Sequence, residues 1–321
     1  MTSRTEMAKY DVIVIGGGAA GLSGALALAR FRRSVLVIDD GTPRNAVADG
    51  VHNFLTRDGV PPAEIYAVGR QEVQGYGGEF ADGTVTTARR SADGLVVGLA
   101  DGRTYLGRRL LVTTGLTDVL PDVPGLAERW GKDVVHCPYC HGWEVRDQAI
   151  GVLATSPMAI HQVQLFRQLS DDVTLFLHTA PEPTEEQWEE LAARGIAVVQ
   201  GKVEQVEVTD DKITGVRLEG GKVVPRQALA IQTTVRARAG FLADLGLETT
   251  MVESNGVEVG TAIQVDAMGA TQVPGVFAAG NVSNPMAQVM PSAAAGLMAA
   301  GGINFDLINE ETRLAVAARS S

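Results

Sequence analysis

The sequence predicts an α/β protein built from two units, and three observations carry that expectation. The chain has 321 residues, more than a single compact core accommodates. Between Asp11 and Ile38 an apolar run, a glycine turn, a helical run and a second apolar run follow one another, which is the order of a βαβ crossover. The same alternation returns between Ala149 and Val199, the mark of a second, largely parallel sheet.

Taken in order, the first strand runs from Asp11 to Ile15, a helix from about Ala19 to Arg30 and the second strand from Ser34 to Ile38. Pro61-Pro62 stands just before a helical stretch from Ala63 to Gln74, where a missing amide costs a helix nothing. Short β-like runs at Thr84–Ala88, Leu95–Leu99 and Leu110–Val112, divided by Asp-Gly turns, read as a meander. The spaced prolines of Thr117 to Gly125 read as an extended connection between units.

Beyond it, strands at Ala149–Ala154, Val173–Leu177 and Ile196–Val199 alternate with helices from about Met158 to Leu169 and Thr184 to Arg194. The acidic stretch Glu182 to Glu190 is a solvated helix face, with Trp188 and Leu191 turned inward. Val203–Thr209, Ile213–Leu218 and Val223–Gln232 read as three more strands. After about Leu245 the chain offers one strand, Gly275–Ala279, and a small-residue helix from Ser292 to about Asp306. That segment lacks partners of its own and is expected to return to the first unit. The expected division is therefore residues 1–117 with 245–321, and residues 118–244 between them.

Charge narrows the function. With 27 basic and 38 acidic side chains the chain carries −11, which repels nucleic-acid backbones and anionic membrane surfaces. The uncharged run from Val12 to Ala29 is interrupted by Gly16, Gly17, Gly18, Gly21 and Gly24, so no membrane span is read there and a cytoplasmic protein is expected. The two cysteines, Cys137 and Cys140, are too few and too close for a disulfide scaffold. They point to chemistry.

Gly16-x-Gly18-x-x-Gly21 follows a strand and opens a helix, and Asp39 ends the next strand. The glycines permit a tight turn, close approach of a pyrophosphate to the helix and packing of helix on sheet, while the acid can accept from a ribose hydroxyl. This is a dinucleotide fingerprint in its full context. FAD and NAD are not separated by that unit alone, but Gly280-Asn281 ends a distant strand with an amide suited to the ribityl chain of a flavin.

His136-Cys137-Pro138-Tyr139-Cys140-His141 is the chemical centre of the sequence. A C-x-x-C beside βαβ units is a redox candidate, because its thiols close a small and readily reduced ring. Zinc and inert thiols are the competing readings. Six adjacent residues can hardly surround one ion tetrahedrally, and no second ligand pair stands elsewhere, so no metal is expected.

These features together, with Thr114-Gly115 and Gln288-Val289, resemble the low-molecular-weight thioredoxin reductases over nearly the whole chain. The resemblance implies two Rossmann-like domains, a homodimer, and one FAD exchanging electrons with a Cys137-Cys140 disulfide. Its implied cofactor residues are Gly16, Gly18, Ala20, Gly21, Asp39, Asn53, Thr114, Gly115, Gly280, Asn281, Gln288 and Val289. Asn281 departs from that family, which has Asp there. The run Cys-Pro-Tyr-Cys-His-Gly-Trp-Glu looks like the branch of dithiol oxidases that close the disulfides of gliotoxin- and holomycin-type natural products. On that likeness Cys140 faces the flavin, Cys137 meets the substrate, and His141 replaces the family's Asp as base with His136 in reserve. Imidazole suits that task near neutrality. His52, beside Asn53, falls in the segment that approaches the flavin in this family.

The second glycine fingerprint, which a thioredoxin reductase needs for NADPH, is missing. Ala154-Thr155-Ser156-Pro157-Met158-Ala159 stands in its place, and His178-Thr179-Ala180 replaces the His-Arg-Arg that grips the 2′-phosphate. The expected activity is oxidation of a small-molecule dithiol by an FAD enzyme, with electrons passed to dioxygen. The alternatives are a thioredoxin reductase-like disulfide reductase fed by NADPH, ferredoxin or another donor, and a flavin redox sensor without turnover.

Overall fold

The computed structural model describes residues 8–320 and is organised around two mainly parallel sheets. In the first, Glu79–Asp82, Val35–Asp39, Lys9–Ile15 and Thr104–Val112 lie side by side in parallel. Gly94–Leu99 and Val85–Ser91 extend it as an antiparallel meander. Val276–Ala278 comes from the far end of the chain and pairs in parallel with residues 110–112. Val12, Ile13 and Val14 are wholly buried, because helices and meander cover both faces, and the strand therefore reads as a continuous apolar run.

The second sheet is parallel throughout, in the order Ala197–Val199, Val173–Phe176, Ile150–Leu153, Ala228–Ile231, Val134–Val135. Helices α1 (Ala19–Arg30) and α2 (Pro62–Gly75) belong to the first sheet, and α3 (Pro138–His141), α4 (Ala159–Phe166) and α5 (Glu185–Ala193) to the second region. Helix α5 opens on a capping box between Thr184 and Gln187 and buries Leu191, leaving its glutamates to solvent. No helix among the described residues is long and apolar enough to cross a membrane.

Four expectations need correction. The last helix, α6, runs from Val289 to Arg319, far beyond Asp306. Its extension is held by charge: Arg109 pairs with Asp306 and Glu310, and Arg33 and Arg108 pair with Glu311. Val223–Gln232 is two strands, Val223–Val224 and Ala228–Ile231, because Pro225 has no amide for the ladder. Two further strands, Thr250–Ser254 and Val257–Ala262, form a hairpin whose Asn255-Gly256 turn, with both residues at positive φ, is a recognisable hairpin signal. Finally, the connection read from Thr117 to Gly125 is not free chain at its start. Leu116–Val119 pairs antiparallel with Thr234–Ala237, so two chain crossings run side by side.

The crossing of α1 and α6 sets the position of the site. A Cβ on Gly296 would lie 2.0 Å from the Ala20 carbonyl oxygen, and one on Gly24 would lie 3.0 Å from the Gly296 carbonyl oxygen. The two backbones therefore touch, and the start of α6 is drawn onto the glycine turn. Gly296→Ala is expected to force them apart and cost about 1–3 kcal/mol, read as a lower urea midpoint with an unchanged slope. Stability equal to the parent would refute the tight crossing.

Candidate active site

Three glycines of the first turn have separable tasks. Gly16 sits at φ +107°, and a Cβ there would meet the Thr113 carbonyl oxygen at 2.5 Å. A Cβ on Gly21 would lie 1.8 Å from the Gly16 oxygen, whereas one on Gly18 meets nothing within 4 Å. Gly16 and Gly21 thus serve the turn and the helix packing, and Gly18 faces open space. Asp39 Oδ1 accepts from the Gly17 amide at 2.9 Å, which fixes the acid at the lip of the turn.

That open space is a cleft of about 1280 Å³, ample for a dinucleotide. Gly16, Gly18, Ala20, Asp39, Thr114, Gly115, Gly280, Asn281, Gln288 and Val289 all line it. Gly21 and Asn53 do not. Gly21 lies beneath the turn, and Asn53, in the left-handed region at φ +59°, donates its side-chain amide to the Tyr139 carbonyl at 2.6 Å. Asn281 Nδ2 donates to the carbonyls of Asn284 and Ala287 at 3.1 and 2.7 Å, so its amide ties the loop that precedes α6. A size, a bare backbone turn and a carboxylate at its lip all fit FAD.

The Cys137/Cys140 pair faces the same cleft. Both cysteines carry free thiols and are partly buried. Cys137 caps α3. The neighbouring Cys140 thiol is the main influence on Cys137, followed by the nearby amides of Cys140 and Tyr139 and by Gln288, whose Nε2 lies 3.8 Å from Cys137 Sγ; the Cys140 amide itself donates to the Cys137 carbonyl oxygen at 3.1 Å. Against the opposing effect of burial these groups pull the Cys137 thiol down to about 6. Cys140, which holds the shared proton and is itself buried, is pushed up. The pair is one thiolate and one thiol near neutrality.

Two histidines flank it. His136 Nδ1 lies 3.1 Å from the Ile231 carbonyl oxygen; a carbonyl only accepts, so Nδ1 carries the proton and Nε2 the lone pair. Burial, with the charge of Arg44 behind it, lowers the His136 pKa. Burial also lowers that of His141, partly offset by Glu144, and His141 Nε2 is buried with no hydrogen-bond partner among the described residues. Both rings are therefore neutral near pH 7 and able to accept a proton.

Sequence reasoning missed several contributors. Arg44 makes a two-pronged pair with Asp118 at 2.7 and 2.6 Å, and Asp118 also accepts from Thr233 at 2.9 Å. Gln162 donates to the His136 carbonyl at 2.8 Å and leaves its Oε1 buried and unpartnered. These contacts join residues far apart in the chain, and no local pattern announces them.

The second βα turn is a different object. Ala154, Ser156, Pro157 and Ala180 enclose a cavity of about 30 Å³, room for little more than a water. His178 sits at φ +45° and turns inward, where its Nδ1 accepts from the Val203 amide at 3.0 Å.

The chain matches the model of the pyridine nucleotide-disulphide oxidoreductase family over residues 10–300. It is 36% identical to thioredoxin reductase tcpT of Claviceps purpurea (strain 20.1), covering 94% of this chain and 97% of that one. It is 32% identical to thioredoxin reductase sirT of Leptosphaeria maculans, covering 97% of each. Among solved structures, the crystal structure of HlmI aligns with a TM-score of 0.89 at 44% identity, over 97% of this chain and 96% of that one.

The glycine assignments yield a paired prediction. Gly18→Ala should fold with parental stability yet retain FAD about tenfold or more weakly, since its Cβ enters only the space a pyrophosphate needs. Gly21→Ala should lose stability as well. Flavin absorbance after gel filtration, with a melting curve, separates the two, and equal behaviour of the variants would overturn the assignment.

Proposed function

Because the chain belongs to the pyridine nucleotide-disulphide oxidoreductase family, as a thioredoxin reductase-like disulfide oxidoreductase with FAD as its cofactor, we propose that it oxidises a small-molecule dithiol to a disulfide with dioxygen as acceptor. The observation that carries the reading is an asymmetry between its two dinucleotide turns. The first opens on a 1280 Å³ cleft that contains the thiol pair, and the second on a 30 Å³ cavity without glycines or arginines for a nicotinamide dinucleotide. Electrons reach the pair from a dithiol when the nicotinamide route is closed.

The chain's residues supply the proton and sulfur chemistry. His141 Nε2 accepts the proton of the first substrate thiol, and the resulting thiolate attacks Cys137 of the disulfide. The Cys137-Cys140 bond breaks, and Cys140, the thiol of higher pKa, takes the proton from His141. The second substrate thiol gives its proton to His141 and attacks the substrate sulfur of the mixed disulfide. Cys137 leaves as the thiolate that Gln288 and the α3 amides stabilise, and a lower-pKa thiol leaves faster. FAD, when bound, supplies the two-electron chemistry that reoxidises the pair and delivers the electrons to dioxygen. The balance is dithiol plus dioxygen to disulfide plus hydrogen peroxide. The reading includes a cytoplasmic homodimer, for which Leu297, Met298 and Phe305, exposed on α6, offer apolar surface.

Stopped-flow mixing of the yellow holoenzyme with a dithiol, and separately with NADPH, tests the direction. The dithiol should bleach the flavin and air should restore it with peroxide release. Two lost phosphate contacts at about 1.5–3 kcal/mol each should leave NADPH near millimolar affinity. Rapid bleaching by micromolar NADPH would make the enzyme a reductase.

The sulfur order is tested with a disulfide probe: Cys140→Ser should trap a mixed disulfide on Cys137, and trapping only in Cys137→Ser would reverse the order. His141→Ala should lower turnover by about two to four orders of magnitude near neutrality. In the parent the rate should fall only below the ordinary histidine range, about pH 6.5, because burial lowers the His141 pKa and only the neutral ring accepts a proton. A parental rate in His141→Ala would remove it from the reaction.

A further inference from the structure

Large apolar side chains left exposed beside a cleft mark a surface that something else covers. Among the described residues three of them line the main cleft: Val47, Tyr139 and Met286. Val47 lies against Gly131. Tyr139 and Met286 are 65% and 63% exposed, so they stand at the rim. Leu55 and Trp143 are exposed to at least the same degree but do not line the cleft, and the Arg146 guanidinium already covers the Trp143 ring at 4.1 Å.

Both rim residues flank the reactive sulfur. Tyr139 stands between Cys137 and Cys140, and Met286 stands two residues before Gln288, whose Nε2 lies 3.8 Å from Cys137 Sγ. Each exposed side chain rides on a pinned backbone. The Asn53 side chain donates to the Tyr139 carbonyl at 2.6 Å. Asn281 donates to the carbonyls on either side of Met286, Pro285 at 3.3 Å and Ala287 at 2.7 Å, and the Met286 amide donates to Asn284 Oδ1 at 3.2 Å. The two positions are therefore fixed before anything binds, which lowers the cost of binding. Cys137 is partly buried between them, so a substrate sulfur must pass below the rim while its scaffold stays at it.

Resting on the dithiol reading, we propose that Tyr139 and Met286 select the substrate by its scaffold, and that this scaffold is a compact apolar ring, aromatic or heteroaromatic, carrying both thiols. The tyrosine offers a flat face on which a ring stacks, and the flexible thioether of the methionine adapts to a ring edge. A ring also holds the second thiol close to the mixed disulfide that it must attack. A protein dithiol fits less well, since a stable protein contact covers roughly 800 Å² on each partner and the apolar rim here is two side chains wide.

The test compares two dithiols on the intact holoenzyme without oxygen: dithiothreitol and ortho-benzenedimethanethiol. Both are alkyl thiols that close a six-membered cyclic disulfide, so they differ mainly in the apolar ring. Two electrons pass from the dithiol to the Cys137-Cys140 bond, the protons go to the thiol pair and solvent, and alkylation with mass spectrometry counts the thiols formed. The parent should prefer the aromatic dithiol in kcat/KM by about tenfold or more, and Tyr139→Ala and Met286→Ala should each lower that ratio several-fold to about tenfold through KM. Tyr139→Phe and Met286→Leu should keep it. The bis-S-methyl thioether of the aromatic dithiol cannot react, and calorimetry should show it binding the two alanine variants more weakly than the parent by a similar factor. An unchanged ratio, or equal losses with both dithiols, overturns the selection. If the thioether binds in the predicted pattern but neither dithiol reduces the disulfide or drives dioxygen uptake, the rim stands and the oxidase reading fails. If both dithiols drive dioxygen uptake whatever stands at 139 and 286, the oxidase reading stands and the rim fails.

Discussion

The hydrogen bond from Asn53 to the Tyr139 carbonyl joins the loop after the glycine-turn sheet to the C-x-x-C turn, and the proposed chemistry depends on that junction. The glycine turn and the thiol pair belong to different sheets, and nothing in either sheet fixes their separation. Asn53 on Tyr139, Gln288 against Cys137 and Arg44 on Asp118 cross the gap. Each neutral contact contributes about 1 kcal/mol and the charged pair about 1.5–3 kcal/mol, all in favour of the facing arrangement.

Electrostatics then divides the work within the pair. The low-pKa sulfur is the one that lies near the amides of α3 and the Gln288 side chain, and the other holds the proton. Two neutral histidines stand beside them because burial disfavours imidazolium. A carboxylate in place of His141 would be ionised near neutrality and too weak a base to take a thiol proton efficiently.

What the sequence made legible was local. The strand, glycine turn and helix of the first crossover, the acid at Asp39 and the C-x-x-C with its histidines each lie within a short window, where backbone sterics and spacing speak directly. The hairpin at Asn255-Gly256 is equally local, since its Asn-Gly turn lies between the two strands it joins. The far half of α6 was not legible, because its residues after Asp306 are held by arginines about 200 positions earlier and its Leu314 and Val316 are exposed, so no apolar stripe marks it. Asn53 could be placed near the cofactor by its segment but not assigned its partner, which lies 86 residues away. Arg44 gave no signal for the same reason.

Asn281 shows how one departure from a familiar pattern acquires a structural reason. An aspartate there would set a negative charge against the Asn284 and Ala287 carbonyls, which now accept from the amide at 3.1 and 2.7 Å, and acceptor against acceptor is repulsive. The amide instead closes residues 284–287 into a tight loop, and Gln288 follows at once as the cap of α6. Its side chain thereby reaches Cys137. The choice of amide over acid in the cleft is in this way coupled to the thiol that carries the negative charge: the residue that gives up a carboxylate also fixes the loop that delivers a donor to the thiolate.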